Sequence, residues 1–299
     1  MASAVLSESK SNVYEAVTAQ IIAAIEAGAG HCTMPWHGTI ASVMMPVNAA
    51  TEMPYHGVNV VALWAQAATK RYVTGYWASY AQWRKLGAQV RGGERGSLTI
   101  FYKKLETSNE VDADAPRFVA RASHVFNVEQ VDGWEIPRRK RPSEVETNEQ
   151  IEAFVRATKA DVRHGSTRAC YHRQGDYIEM PDPDQFIGTP TSSPTEAYYA
   201  VKLHELIHYA GAPHRMNRTF GKRFGDRNYA AEELVAELGA AFLCSAFAIV
   251  NAPRPDHAAY ISSWLDILGR DRKAIFTAAH MAQEAVEYLR TLAASNGDR

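Results

Sequence analysis

The chain has 299 residues, 46% of them hydrophobic, enough to bury two modest cores, and a formal net charge of only −1. Its three cysteines, Cys32, Cys170 and Cys244, lie far apart and form no CxxC pair, which argues for a reducing compartment and against a thiolate metal site. The first residues lack signal-peptide architecture, and the longest apolar run, Leu238 to Val250, is too short to span a bilayer; the expectation is a soluble cytoplasmic protein with no membrane partner.

In chain order, Val13 to Ala27 has the spacing of an amphipathic helix stopped at Gly28, Val58 to Thr69 forms a second, and Ser79 to Leu86 a short third. After Gly87, the runs Gln89 to Arg91, Leu98 to Tyr102 and Arg121 to Val128 read as strands, separated by a glycine turn at 92–96. This describes a small α+β domain with hairpins. Its charge is uneven, with eight basic residues between Lys70 and Lys104 against one acid, Glu94. Interleaved with them are Trp36, Tyr55, Trp64, Tyr72, Tyr76, Trp77, Tyr80, Trp83, Phe101 and Tyr102. Aromatic faces that stack on bases, beside cations that follow phosphates, are the chemistry of single-stranded DNA binding. Tyr55, Tyr76, Trp77, Arg84, Lys85, Arg91, Arg95 and Lys103 are the candidate contacts, whereas Trp64 and Trp83 are expected in the core. Neither a helix-turn-helix nor a Cys/His finger is recognisable.

Prolines flanking the basic run at 137–142, then an acidic stretch and the amphipathic segment Ile151 to Thr158, mark a linker entering a second domain. The expected division is 1–140 and 141–299.

In the second part, Ser193, Pro194 and Glu196 open a helix that Gly211 and Pro213 close. It carries His204-Glu205-Leu206-Ile207-His208. Four residues along a helix is about 6 Å of rise and about 40° of rotation, so both imidazoles leave one face and reach one cation. Glu205 is then placed to act as general base on a metal-activated water, the HExxH arrangement of zinc metallopeptidases. A catalytic zinc takes three protein ligands and keeps an open position. His214 completes a literal HExxHxxGxxH, although no clear Met-turn accompanies it. The rival is the apolar segment 231–244, where Glu233 and Glu237 share a helix face; an unpaired carboxylate there is costly, and a metal or a ligating histidine is its natural partner. The spacing resembles the ExxAD pattern of glutamate-liganded zincins, which assigns Glu233 to the metal and Glu237 to orienting a ligand histidine, with the reverse and His214 as alternatives. Glu232 reads as a solvated helix position. For the oxyanion, Tyr177, Tyr209, Tyr229 and Arg215 are all close in sequence, and the sequence does not choose among them.

Taken together, the chain resembles the ArdC-type antirestriction proteins of conjugative plasmids. In the front half the likeness rests on Pro54 to Trp64, on Trp83 with Leu86 to Gly96, and on Val125 to Gln130; in the back half on His204 to His208, Glu232 to Cys244 and Ser263-Trp264. The front half is also similar to the N-terminal part of TraC-type plasmid primases. The resemblance implies an α+β protein: a small N-terminal single-stranded-DNA-binding domain followed by a mainly helical zincin-like metallopeptidase domain with a small β-sheet. It further implies zinc, or another divalent metal, and a role in shielding incoming plasmid DNA from host restriction during conjugation. The position of His214 varies in that family, which favours the glutamate ligand. Two other readings compete: a DNA-binding shield with a structural or vestigial metal site, and a DNA-dependent, SprT-like protease whose protein substrate is DNA-bound.

Overall fold

Local sequence rules account for most elements of the computed structural model, which describes residues 2–29, 34–37, 44–104, 118–137, 143–189, 191–218, 227–251 and 257–297. Helices α1 (Ala2–Ala29), α2 (Val58–Lys70) and α3 (Tyr80–Lys85) match the expected segments, with α1 starting well before Val13. Capping boxes of Ser79 with Gln82, Ser143 with Glu146 and Ser193 with Glu196 open α3, α4 (Glu144–Ala157) and α5 (Pro194–Ala210). Each satisfies helix-end donors and contributes about 1 kcal/mol. Three further helices follow: α6 (Arg227–Ala246), α7 (His257–Arg270) and α8 (Ala274–Gly297). The apolar run to Val250 is therefore not all helix. Past Ala246 the chain turns through Ala248, at φ 57°, and Ile249 and Val250 return to the core outside any helix or strand.

Strands of the front half are β1 (Val47–Asn48), β2 (Tyr76–Ser79), β3 (Gln89–Val90), β4 (Ser97–Lys104), β5 (Phe118–Asn127) and β6 (Val131–Asp132). One sheet has the order β1-β2-β5-β4, and β3 pairs with β6. The sequence reading missed β1, β2 and β6. Two of these are only two residues long, and β2 lies between two neighbours with Tyr76, Trp77 and Ala78 all buried, so it lacks the alternation of a half-exposed strand. The back half adds a small sheet of β7 (Asp161–Arg163), β8 (Cys170–His172) and β9 (Tyr177–Glu179), ordered β7-β9-β8 so that β8 is an outer strand. The protein is α+β, as expected. Among the described residues, no helix is long and apolar enough to cross a membrane.

The largest core draws on both halves. Val17, Ile21 and Ile25 of α1, Trp36, and Val60, Val61 and Trp64 of α2 pack in one cluster with Leu234 to Cys244 of α6, Trp264 of α7 and Ile275 to Leu289 of α8. Trp83 nucleates a smaller cluster with Tyr76, Ala88, Val90 and Val131. Helices α5 and α6 approach closely at Gly239, where a Cβ would stand 2.8 Å from Ile207 Cδ1. That contact brings the glutamates of α6 up to the histidines of α5.

Candidate metal centre

Helix α5 is buried almost all round from Tyr198 to Ala210, so His204, Glu205 and His208 sit inside the protein rather than on a solvated face. The two imidazole Nε2 atoms are 3.1 Å apart. Glu233, on α6, spans them, with Oε2 3.5 Å from His204 Nε2 and Oε1 3.5 Å from His208 Nε2. These three residues offer donor atoms within 4.8 Å of one another.

The donor set fits a divalent cation. Ligand atoms about 2.0–2.2 Å from a tetrahedral zinc lie about 3.3–3.5 Å from each other. The Nε2–Nε2 separation, 3.1 Å, is close to that size, and each nitrogen has one Glu233 oxygen at 3.5 Å, Oε2 for His204 and Oε1 for His208. Two Nε2 lone pairs facing one another at such a distance also need a proton or a cation between them. Imidazole and carboxylate together suit zinc and manganese alike.

Each histidine has a carboxylate behind it. His208 Nδ1 is 3.3 Å from Glu232 Oε1, and Glu232 accepts from Arg218 Nη2 at 2.6 Å and Nε at 3.1 Å. His204 Nδ1 is 3.7 Å from Glu237 Oε2, too long for a hydrogen bond, and this buried nitrogen has no hydrogen-bond partner. Burial works against a charge on His208, but Glu233 and Glu232 outweigh it and lift its pKa well above the ordinary value. Burial likewise opposes ionisation of Glu233, but His208 and His204 hold its carboxyl far below the usual range. The expectation for Glu232 is corrected: it is buried against Arg218 because it points inward beside His208, one helix position from Glu233.

A cleft of about 540 Å³ opens onto the cluster, lined by Ala169, Cys170, Phe186, Val201, Tyr229 and Tyr260 among others. Glu205 lines it too, with Oε2 accepting the Tyr171 backbone N–H at 2.9 Å. His214 stands elsewhere, its side chain 59% exposed and hydrogen-bonded to Asp176 at 3.0 Å. Of the four oxyanion candidates, Tyr229 alone lines the cleft. Tyr209 donates to Thr158 O, Tyr177 stacks on His172, and Arg215 pairs with Asp176 while lying 3.4 Å over the Tyr209 ring.

The aromatic candidates of the front half need correction. Tyr76 and Trp77 are core residues, 4% and 1% exposed, packed against Trp134 and Tyr72, so their faces are already covered. Trp36 is fully buried as well, whereas Trp64 and Trp83 are in the core as expected. Tyr55 is half-buried, and burial pushes its pKa up to about 12. Arg84, Lys85 and Arg95 are exposed; Arg91 is exposed but engaged with Glu94, Asp132 and Glu129 O. The side chain of Lys103, Cys32 and the basic run at 138–142 lie outside the described residues. Among the described residues the exposed aromatics are Tyr80 at 45% and Phe101 at 47%, and Phe101 pairs in register with exposed Arg121. Sequence reasoning did not foresee Glu232 and Arg218 behind His208, Trp36 and His37 against Glu237, or Arg121 beside Phe101. A second acid beside Glu233 in an apolar helix was a usable signal for Glu232; the others leave no local pattern.

Known proteins resemble the chain over almost its full length. Residues 11–159 match the family described as the N-terminal domain of anti-restriction factor ArdC, and residues 149–281 match the zincin-like metallopeptidase family. The uncharacterized protein y4eC of Sinorhizobium fredii is 42% identical over 94% of this chain and 92% of its own length. DNA primase TraC of Escherichia coli is 32% identical across 95% of this chain, which spans only 27% of the primase. The likeness to TraC therefore extends beyond the front half. Crystal structures of the antirestriction ArdC protein from plasmid R388, one Mn(II)-bound and one metal-free, superpose with a TM-score of 0.74 at 37% identity, covering 94% and 95% of this chain and 98% of theirs.

Proposed function

The chain belongs to the ArdC family of antirestriction proteins with a zincin-like domain, and from that membership we propose that it binds single-stranded DNA and carries a divalent-metal peptidase centre, protecting incoming plasmid DNA from host restriction during conjugation. The observation that carries the hydrolytic half is the convergence of His204, His208 and Glu233 with Glu205 beside an open cleft. Zinc or manganese held by those three residues would acidify a water and polarise a peptide carbonyl. Glu205, one oxygen fixed by the Tyr171 N–H, takes the proton from the attacking water and delivers it to the leaving amine. Tyr229, which lines the cleft, serves in this reading as the donor to the developing oxyanion. The outer edge of β8 borders the cleft, where an extended polypeptide can add as a further strand. In the front half, residues 1–140 supply the DNA-binding surface, with Phe101, Tyr80, Arg84, Lys85, Arg95 and Arg121 as its exposed members.

Metal analysis tests the centre directly. Purified chain should hold about one divalent ion, lost in His204→Ala and His208→Ala. Glu205→Gln should keep the ion and lose protease activity. If Glu205→Gln retains full antirestriction in conjugation assays, the metal site is structural for that role and the DNA-binding shield is the better reading. The SprT-like reading requires cleavage of DNA-bound protein that single-stranded DNA stimulates.

A further inference from the structure

Glu237, the carboxylate behind His204, is tied from the front of the chain. Its Oε1 accepts from the Trp36 indole Nε1 at 3.1 Å, from His37 Nε2 at 2.7 Å and from Asn251 Nδ2 at 3.1 Å. The tautomer of His37 follows from its other nitrogen. Nδ1 accepts the Met34 backbone N–H at 3.1 Å, so in the neutral ring the proton sits on Nε2 and is donated to Glu237. None of this is solvated: Trp36 is 0% exposed, and the side chains of His37 and Glu237 are 1% and 2% exposed.

A buried carboxylate needs donors, and Asn251, near the end of α6, already provides one. Two more come from some 200 residues away, in a segment whose tryptophan joins the core shared by α2 and α6. Three donors converging on Oε1 hold the carboxylate in one orientation, with Oε2 left on the side of His204 Nδ1. Residues 34–37, which the expected peptidase domain does not contain, thus hold the carboxylate that faces His204 Nδ1 at 3.7 Å.

We propose that Trp36 and His37 are positioning residues of the metal centre: acting through Glu237 they orient His204, so the front of the chain completes the cation site. This rests on the reading that His204, His208 and Glu233 hold a divalent cation. By linkage, whatever unseats residues 34–37 weakens metal binding, and metal binding in turn favours their seated state.

The test uses the full chain, titrated with Mn(II) and with Co(II), alongside the thermal midpoint of the metal-free form. Loss of an outer partner of a ligand histidine typically costs about 10- to 100-fold in affinity, so Trp36→Phe and His37→Leu should weaken Mn(II) binding by about tenfold or more. His37→Gln, whose amide N–H can replace Nε2–H, should recover most of it. The Co(II) absorption spectrum should shift in His37→Leu and return in His37→Gln, a response that general loosening of the fold does not produce. Where His37→Leu fails to fold, Trp36→Phe and His37→Gln decide. Affinities within about twofold of the parent and unchanged Co(II) spectra in Trp36→Phe and His37→Leu would overturn the proposal while leaving the metal site intact. Metal binding that survives His204→Ala would overturn the metal site itself, and this inference with it.

Discussion

Gly239→Ala probes whether the close approach of α5 and α6 assembles the centre. The added Cβ would stand 2.8 Å from Cδ1 and Cγ1 of Ile207 and 3.1 Å from its Cγ2. Those distances are about 0.5–1 Å inside ordinary carbon contact. Ile207 is 0% exposed, and three of its atoms meet the new methyl, so a single rotamer change does not clear it and the helices must part. Overpacking of this kind costs about 1–3 kcal/mol. Replacing a helical glycine by alanine returns about 1 kcal/mol, leaving a net loss of about 0–2 kcal/mol. The centre should suffer more than the fold. Both histidines ride on α5 and Glu233 on α6, and metal–ligand distances tolerate only about 0.2 Å. Calorimetric titration with Mn(II) should show affinity reduced by about tenfold or more, while the metal-free thermal midpoint falls by a few degrees at most. Adding Ile207→Val removes Cδ1 and should show a favourable coupling of about 1 kcal/mol in a double-mutant cycle. A Gly239→Ala chain with parental Mn(II) affinity and a raised midpoint would refute the reasoning, because the interface would then have room for the methyl.

Glu232→Ala strips its carboxylate partner from Arg218, whose side chain is 5% exposed, and should destabilise the metal-free chain by about 3–5 kcal/mol in denaturant titrations; a loss under about 1 kcal/mol would mean the pair is not structural. The raised pKa of His208 means that the metal-free cluster keeps a proton a cation must expel, so Mn(II) affinity should fall as pH falls, by up to about tenfold per unit, and pH-independent binding between pH 6 and 8 would contradict this. Hydrogen bonding from Arg215 lowers the Asp176 pKa from 3.8 to about 2. Its stabilisation is therefore present above the unfolded pKa and lost as pH falls through the folded one; Asp176→Asn should flatten the acid limb of the stability profile in that window, and an unaltered limb would rule it out. Phe101→Ala should weaken single-stranded DNA binding by about 1–3 kcal/mol in anisotropy titrations, whereas Trp77→Phe should alter stability and leave DNA affinity unchanged; the opposite pattern would place the DNA on another face.

The α5 helix and its HExxH string were legible because they need only neighbours in sequence: a Ser193–Glu196 capping box, a glycine stop, and two histidines one turn apart. Periodicity equally marked α6 as a buried helix with acids on it. A pattern of that kind says which face is buried and not what it meets. Which acid faces which imidazole depends on how α6 docks on α5 at Gly239, and successive helix positions differ by about 100°, so Glu232 and Glu233 could take opposite sides of His208 without any sign in the composition. The aromatic run of the front half shows the same limit. Tyr76 and Trp77 look like stacking residues beside a basic stretch until β2 is placed between β1 and β5, where both are enclosed. Sequence by itself determined the two-histidine helix, which is written in short-range spacing, and, through the resemblance of its motifs to a known family, the family and the α+β class. Only the tertiary structure decided the third donor of the cluster, the burial of the tryptophans and the tie from His37 to Glu237, because contacts across some 200 residues obey no local period.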